Sequence, residues 1–446
     1  MKTMKTLKQT TLITFALFAL SGVTTSCKKG CTDPKASNYD EDAKKEDKNV
    51  ACEYDTIVNS NIVKSGSVTT SETWTSNNIY ELEGKVVVES GATLTIEAGT
   101  IVKGQEGQET NASALIIAKG GKLIAVGTAA DPIIFTSILD NIEFSQKVGS
   151  NLTKTDNQKW GGIVILGNAP VSTENGDTEG NIEGIPADAG YGKYGGSVAA
   201  DNSGTLTYVS IRHGGITIGE GNELNGLTLG GVGSGTTISN IEVYATLDDG
   251  IECFGGTVNI SNALVFYQGD DGIDLDQNYS GTIENFAVIH GDGIETDEGL
   301  EIDGPEGSTN TTGLFTLKNG LVKTQGTEGS AGDFKSKAQG TIENVTFTYP
   351  SAKLKVRASY QNDCADSKTD ALTHLTDANP TLVFTNSKFD VVSVYTSSTD
   401  NANTNDCTVF TADQTAAEAL ITSGSGSTIN PISLFSWTAA GINNEL

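Results

Sequence analysis

Three short stretches concentrate carboxylates: LDDGIECF at 247–254, GDDGIDLD at 269–276 and TDEGLEID at 296–303. Each places two acids before a Gly and then alternates apolar residues with acids or, once, Cys and Phe. Carboxylates this dense suit several roles. They can hold a hard divalent cation such as calcium, which takes about six to eight oxygen ligands. A pair about 5–10 Å apart can cleave a glycosidic bond. They can also be a solvated ladder closed by Lys and Arg. The Asp-Gly steps are in addition ordinary turn chemistry, with Gly supplying positive φ.

The alternation after the Gly is that of a strand with one face inward. A second repeat runs alongside it. The pattern apolar–x–Asn–x–x–apolar recurs with Asn240, Asn262, Asn285, Asn319, Asn344 and Asn386, and Tyr208 fills the same slot in LTYVSI. The spacings are 22, 23, 34, 25 and 42 residues. A base period in the low twenties with insertions describes an all-β solenoid, a parallel β-helix whose coils are two or three short strands each. The Asn column is expected to stack along the axis and exchange side-chain hydrogen bonds. Strand-sized runs separated by Gly turns, KVVVESGATLTIEAGTIVKG and ALIIAKGGKLIAVGTAADPIIFTS, extend the pattern into the first half.

Aligning coils on the Asn predicts inward Ile251/Cys253, Ile273/Leu275, Leu300/Ile302, Phe334/Ser336 and Leu354/Val356. The outward residues form two columns: Glu252, Asp274, Glu301, Lys335, Lys355, and Phe254, Asp276, Asp303, Lys337, Arg357. Coils stack at about 4.8 Å. Two carboxylates at that distance repel by roughly 1 kcal/mol in water and about 3 at an effective dielectric of 20. The candidate metal ligands are therefore Asp271, Asp274, Asp276, Glu298, Glu301 and Asp303. The pairs Asp248–Asp249, Asp270–Asp271 and Asp297–Glu298 sit at the turn before the Gly, so Asp249 and Asp271 have a structural reading as good as any functional one.

Four residues after the Asn slot stand Arg212, Tyr244, Phe266, Ile289 and Lys323. Exposed on a flat sheet, Arg212, Tyr244 and Phe266 would bind sugar rings and a carboxylate; covered by an insertion such as 217–236, they would be packing. His213 and His290 share one slot about three coils apart, too far for a common metal. No Ser-His-Asp, Cys-His or zinc spacing occurs, and GGVGSG at 230–235 lacks the strand–Lys–helix setting of a phosphate loop.

The net charge of −28 argues strongly against a nucleic-acid partner. Lys2, Lys5 and Lys8 precede the apolar run Leu12–Val23, which small residues close just before Cys27, and no later segment is long and apolar enough to span a bilayer. Cys31 and Cys52 bracket a short polar module that reads as a disulfide-pinned spacer, Cys364 and Cys407 bracket a polar insertion and are a second candidate disulfide, and Cys253 takes an inward position as a buried thiol.

The coil runs resemble right-handed parallel β-helix proteins of the pectate-lyase-like superfamily, from about residue 60 to near the end. The leader with Cys27 resembles a bacterial lipoprotein signal, which implies acylation of Cys27; the alternative is a secretory signal with Cys27 free. GCTDP, NYD and CEY resemble a two-Cys module of exported Bacteroidetes-type proteins. The expected organisation is a signal peptide over 1–26, the module and linker over 27–58, and the β-helix with insertions and a C-terminal cap over 59–446. Two functions are carried forward. The first is a monomeric cell-envelope lipoprotein, exported to the periplasmic or cell-surface face of the outer membrane, that binds glycan or another surface component without catalysis. The second is implied by the resemblance: a lyase acting on acidic polysaccharide, with calcium on the acids and Lys335, Lys355 or Arg357 as base, or else a glycoside hydrolase.

Overall fold

The structure, a computed structural model, describes residues 28–34, 36, 38–53, 60–107, 111–219, 222–307, 310–327, 329–362, 364–395, 398–400, 406–407 and 411–446. The chain divides into two units, Met1–Val58 and Asn59–Leu446. In the first, strands Lys29–Gly30 and Lys45–Glu46 pair in parallel, and a disulfide joins Cys31 to Cys52. Cys27 lies outside the described residues.

The second unit is a parallel β-helix. Among the described residues, twenty-four strands join in one sheet, and those between its ends pair in parallel with the equivalent strands of the coils before and after them. Strands Thr237–Tyr244, Asn259–Phe266 and Thr282–His290 stack in parallel with Ile241 beside Ala263 and Ala263 beside Phe286. Strands Leu227–Gly230, Ile251–Phe254, Ile273–Asp276, Leu300–Ile302, Gly332–Phe334 and Thr346–Val356 form the neighbouring face. Their inward residues, including Ile251, Cys253, Ile273, Leu275, Leu300, Ile302, Phe334 and Val356, form one continuous buried column. Each such side chain contributes roughly 1.5–3 kcal/mol by leaving water.

The Asn column is the hinge of every coil. Tyr208, Asn240, Asn262, Asn285, Asn319, Asn344 and Asn386 all have φ between 47° and 57°. Asn tolerates this left-handed region better than other residues with a Cβ. The side chains also bond along the axis: Asn262 donates to Asn240 at 3.1 Å and Asn386 to Asn344 at 2.6 Å.

The glycines of the acidic repeat work differently from the turn role expected of them. None of Gly250, Gly272 and Gly299 has positive φ. They are there because the coils touch: a Cβ on Gly272 would lie 2.3 Å from Val288 Cγ1 and 2.6 Å from the Gly299 carbonyl. Gly250 meets Val265 and Gly299 meets Val322 in the same way.

One coil takes a different register from the one expected. Glu252 pairs with Asp274 and Asp274 with Glu301, but Glu301 then pairs with Asp333, and Asp333 with Lys355. The column reads Glu252, Asp274, Glu301, Asp333, Lys355. Lys335 sits two residues further along, beside Asp303, and Lys337 leaves the column. Gly332 occupies the inward slot held by Leu300 in the coil before and Leu354 in the coil after. With no side chain there, the apolar pattern cannot distinguish the true register from one slipped by two, because a slip of two preserves which face points inward.

Candidate functional site

The acid repeats converge on a pocket of about 260 Å³ lined by Glu183, Glu223, Asp248, Asp249, Glu252, Asp270, Asp271, Asp274, Asp297 and Glu301, with Asn225, among the described residues, the only lining side chain that is not a carboxylate. The repeat supplies the floor. The strands place Glu252, Asp274 and Glu301 one above another, and the turns before them bring the paired acids. Two insertions supply the wall. Glu183 comes from the segment after Gly180–Asn181, and Glu223 from the antiparallel hairpin of Ile216–Gly219 with Asn222–Leu224.

A hydrogen-bonded ladder fixes the turn acids. Asn225 Oδ1 accepts the Asp249 N–H at 3.1 Å, Asp249 Oδ1 accepts the Asp271 N–H at 2.9 Å, and Asp271 Oδ1 accepts the Glu298 N–H at 2.5 Å. Each rung engages one side-chain oxygen. Asn225 also donates to Glu252 Oε2.

Burial acts strongly on these acids. It is the main reason that Asp249, Glu252, Asp271 and Asp274 hold their protons well above the usual carboxylate range, with neighbouring acids adding to it. Burial, then Asp249, pushes Asp248 up to about 10. Burial, then Glu223, pushes Glu183 to about 7, and burial, then Asp297, pushes Asp270 to about 6. Glu298 rises to about 8 through burial and its hydrogen bond with Asp297, which itself is lowered by that bond. Asp274 Oδ1 and Glu298 Oε2 are buried without a hydrogen-bond partner.

Among the described residues, three acid groups could bind a metal ion, each offering ligand atoms within 4.8 Å of one another: Asp248, Asp249 and Asp270; Asp249, Glu252 and Asp274; Asp271, Glu298 and Glu301. All donors are carboxylate oxygens, which suits a hard cation of the calcium type. Of the ligands expected from sequence, Asp271, Glu298 and Glu301 meet in one group and Asp274 in another. Asp276 and Asp303 enter neither. Asp303 instead lies 3.5 Å from Lys335 Nζ, and Asp276 is a half-buried acid whose pKa is raised by burial and then by Asp303. Glu183, Glu223 and Asn225 escaped the sequence reading because they lie outside the repeat.

The expected bases are committed to ion pairs. Lys335 bonds Glu301 and reaches Asp303. Lys355 bonds Glu298 and lies 3.7 Å from Asp333. Arg357 grips Asp333 through Nε at 2.8 Å and through Nη2 at 2.5 Å. Burial alone would lower the two lysines, but Asp303 and Glu301 outweigh it for Lys335, as Glu298 and Asp333 do for Lys355, and both stay above the usual lysine range. The hydrogen bond to Asp333 raises Arg357 likewise. Beside the acid pocket lies a second one of about 480 Å³, where Lys335, Lys337, Arg357 and Lys368 outnumber Glu306 and Asp370. The Lys335–Glu301 pair is the partition between them.

Arg212, Tyr244 and Phe266 do stack in register. They are not an exposed platform, since each is at most 2 % exposed. The cover is not the 217–236 insertion. It is the C-terminal segment, whose Phe435, Ala439 and Ala440 pack on Tyr244, Phe266 and Tyr267, and Lys147, whose carbonyl accepts from Arg212 Nη1 at 2.6 Å. His213, in a bend, and His290, at the end of the strand Thr282–His290, are buried and bonded to the carbonyls of Asp156 and Glu298. Cys253 is a free, buried thiol. Cys364 is disulfide-bonded, and the side chain of Cys407 lies outside the described residues.

Residues 66–440 match the family described as a pectate-lyase like beta helix domain. No curated protein and no solved structure matches the chain significantly.

Proposed function

The chain belongs to the pectate-lyase-like β-helix domain family, and from that premise we propose that it is a cell-envelope lipoprotein that binds an acidic glycan or another acidic surface component without catalysis. The signal-like leader and Cys27 support export and anchoring at the outer membrane. The observation that carries the binding reading is the acid pocket itself, ten carboxylates around about 260 Å³ with no basic side chain among the described residues of the lining. Ionised together they repel; a divalent cation such as calcium balances them and leaves coordination positions for an anionic group of the ligand. The adjoining pocket with Lys335, Lys337, Lys368 and Arg357 offers further contacts to acidic groups.

The lyase alternative needs a base that is free of its proton beside the substrate. Lys335, Lys355 and Arg357 are instead held protonated by Glu301, Asp303, Glu298 and Asp333. That favours binding over elimination. The test is calorimetry of the purified protein with uronate-containing oligosaccharides, with calcium and with EDTA, together with an ultraviolet assay for unsaturated products. Calcium-dependent heat without unsaturated product is the expected result. Product formation would overturn the non-catalytic reading, and no heat with any acidic glycan would overturn the binding reading.

A further inference from the structure

We infer that the acid repeat, in the pocket and at its edge, holds two divalent cations one coil apart, the first on Asp249, Glu252 and Asp274, the second on Asp271, Glu298 and Glu301. The inference rests on the cation-binding reading above and adds its stoichiometry and ligand sets.

The repeat generates both sites. Moving the first group down by one coil takes Asp249 to the Asp271 slot, Glu252 to Asp274 and Asp274 to Glu301. Two of those three, Asp271 and Glu301, belong to the second group, and Glu298 joins them from the next turn. Each group also contains a side chain more than nine-tenths buried with an unpartnered oxygen: Asp274 Oδ1 in the first and Glu298 Oε2 in the second. A buried carboxylate oxygen with no donor is costly, and a cation bound among these groups removes that deficit at both places.

Charge points the same way. Asp248, Asp249, Glu252, Asp271, Asp274 and Glu298 are each less than 9 % exposed. Lys355 balances one of them, at Glu298. Two divalent cations balance four of the remaining five, whereas one leaves three buried acids to be neutralised by protons. Asp248 and Asp270 reach the first site through Asp249 and extend its oxygen count toward what calcium requires.

The decisive experiment counts ions. Equilibrium dialysis of the intact protein against calcium at pH 8, with metal analysis, is expected to give two ions per chain. Glu252→Gln and Glu298→Gln are each expected to retain one, with different affinities. One ion in the parent protein, or the same ion lost in both variants, would overturn the two-site inference while leaving the cation reading in place. No ion at all would overturn both. Should the variants fail to fold, terbium-to-europium energy transfer in the parent protein decides: two lanthanides about 4.8 Å apart transfer energy almost completely, and absent transfer at saturation would overturn the inference.

Discussion

Asp249 Oδ1 accepts the backbone N–H of Asp271 at 2.9 Å, one coil along the axis. The same carboxylate belongs to two of the three groups that could bind a metal. One oxygen therefore builds the solenoid while the other faces the pocket. The first rung of this ladder is an amide, Asn225, which makes the equivalent bond to the Asp249 N–H at 3.1 Å. The chain thus shows that the structural half of the task does not need a charge.

Asp249→Asn should separate the two halves. Its Oδ1 retains the bond to Asp271, and one buried negative charge disappears. In EDTA at pH 8 the variant is expected to be more stable than the parent, and to lose calcium affinity at least tenfold. Asp249→Ala loses the acceptor as well and should be destabilised by about 1–3 kcal/mol. Urea unfolding and calorimetry read both effects. An Asn variant that binds calcium as tightly as the parent would remove Asp249 from the ligand set.

Stability should fall with rising pH when no divalent cation is present. Asp270, Glu183 and Glu298 release their protons in the fold at about 6, 7 and 8, above the unfolded values near 4. The native state therefore holds more protons than the unfolded chain across this window, and the linkage slope is negative. Their contribution is complete below about pH 4 and is lost progressively up to about pH 8. Asp297, which shifts the other way, acts only below that window. Melting temperature in EDTA is expected to drop from pH 5 to pH 8 and to recover on adding calcium. A flat profile in EDTA would mean that the pocket acids are not protonated at pH 5.

Lys355 competes with a cation for Glu298. Lys355→Met should lower stability in EDTA, because Glu298 and Asp333 each lose a positive neighbour. It should also tighten calcium binding, by up to about fivefold if the pair is worth about 1 kcal/mol. Parallel calcium titrations of variant and parent check this, and weaker binding in the variant would show that Lys355 orders the site rather than blocks it.

The coil repeat was legible because two independent patterns, the Asn slots and the apolar alternation after Gly, carry it through the sequence. Stacking of Glu252, Asp274 and Glu301 followed directly from it. The break came where the pattern was silent: Gly332 has no side chain to mark an inward slot, so Asp333 was displaced from the column by Lys335. The walls of the pocket were illegible for another reason. Glu183 and Glu223 reach it from insertions, and insertions obey no period. The same holds for the cover over Tyr244 and Phe266, which arrives from more than 160 residues further along the chain.

Asn262 tests the hinge column. It combines φ of 57° with donation to Asn240 at 3.1 Å. Asn262→Ala gives up the hydrogen bond and places an ordinary Cβ in the left-handed region, which together should cost roughly 1–3 kcal/mol. Asn262→Gly keeps the backbone relaxed and should recover part of that loss. Equal losses in urea unfolding would assign the effect to the hydrogen bond alone.

Glu242 tests what holds the C-terminal cover in place. It is fully buried, and its carboxylate accepts the Ala439 N–H at 2.9 Å, the Ala440 N–H at 3.0 Å and the Ser210 hydroxyl at 2.5 Å, with Arg212 Nε 3.8 Å away. The first turn of the helix Ala439–Ile442 is therefore seated on a charged residue of the sheet strand Thr237–Tyr244. Glu242→Ala strands those N–H groups and leaves Arg212, itself fully buried, without its anion. Breaking a buried pair from one side typically costs about 3–5 kcal/mol. Amide exchange over residues 431–446 should accelerate far more than exchange in strands Asn259–Phe266 and Thr282–His290, because the cover loses its anchor while the coil hydrogen bonds remain. Uniform acceleration across the whole unit would show instead that Glu242 supports the coils themselves and that the cover is fastened by the apolar contacts of Phe435 and Ala440.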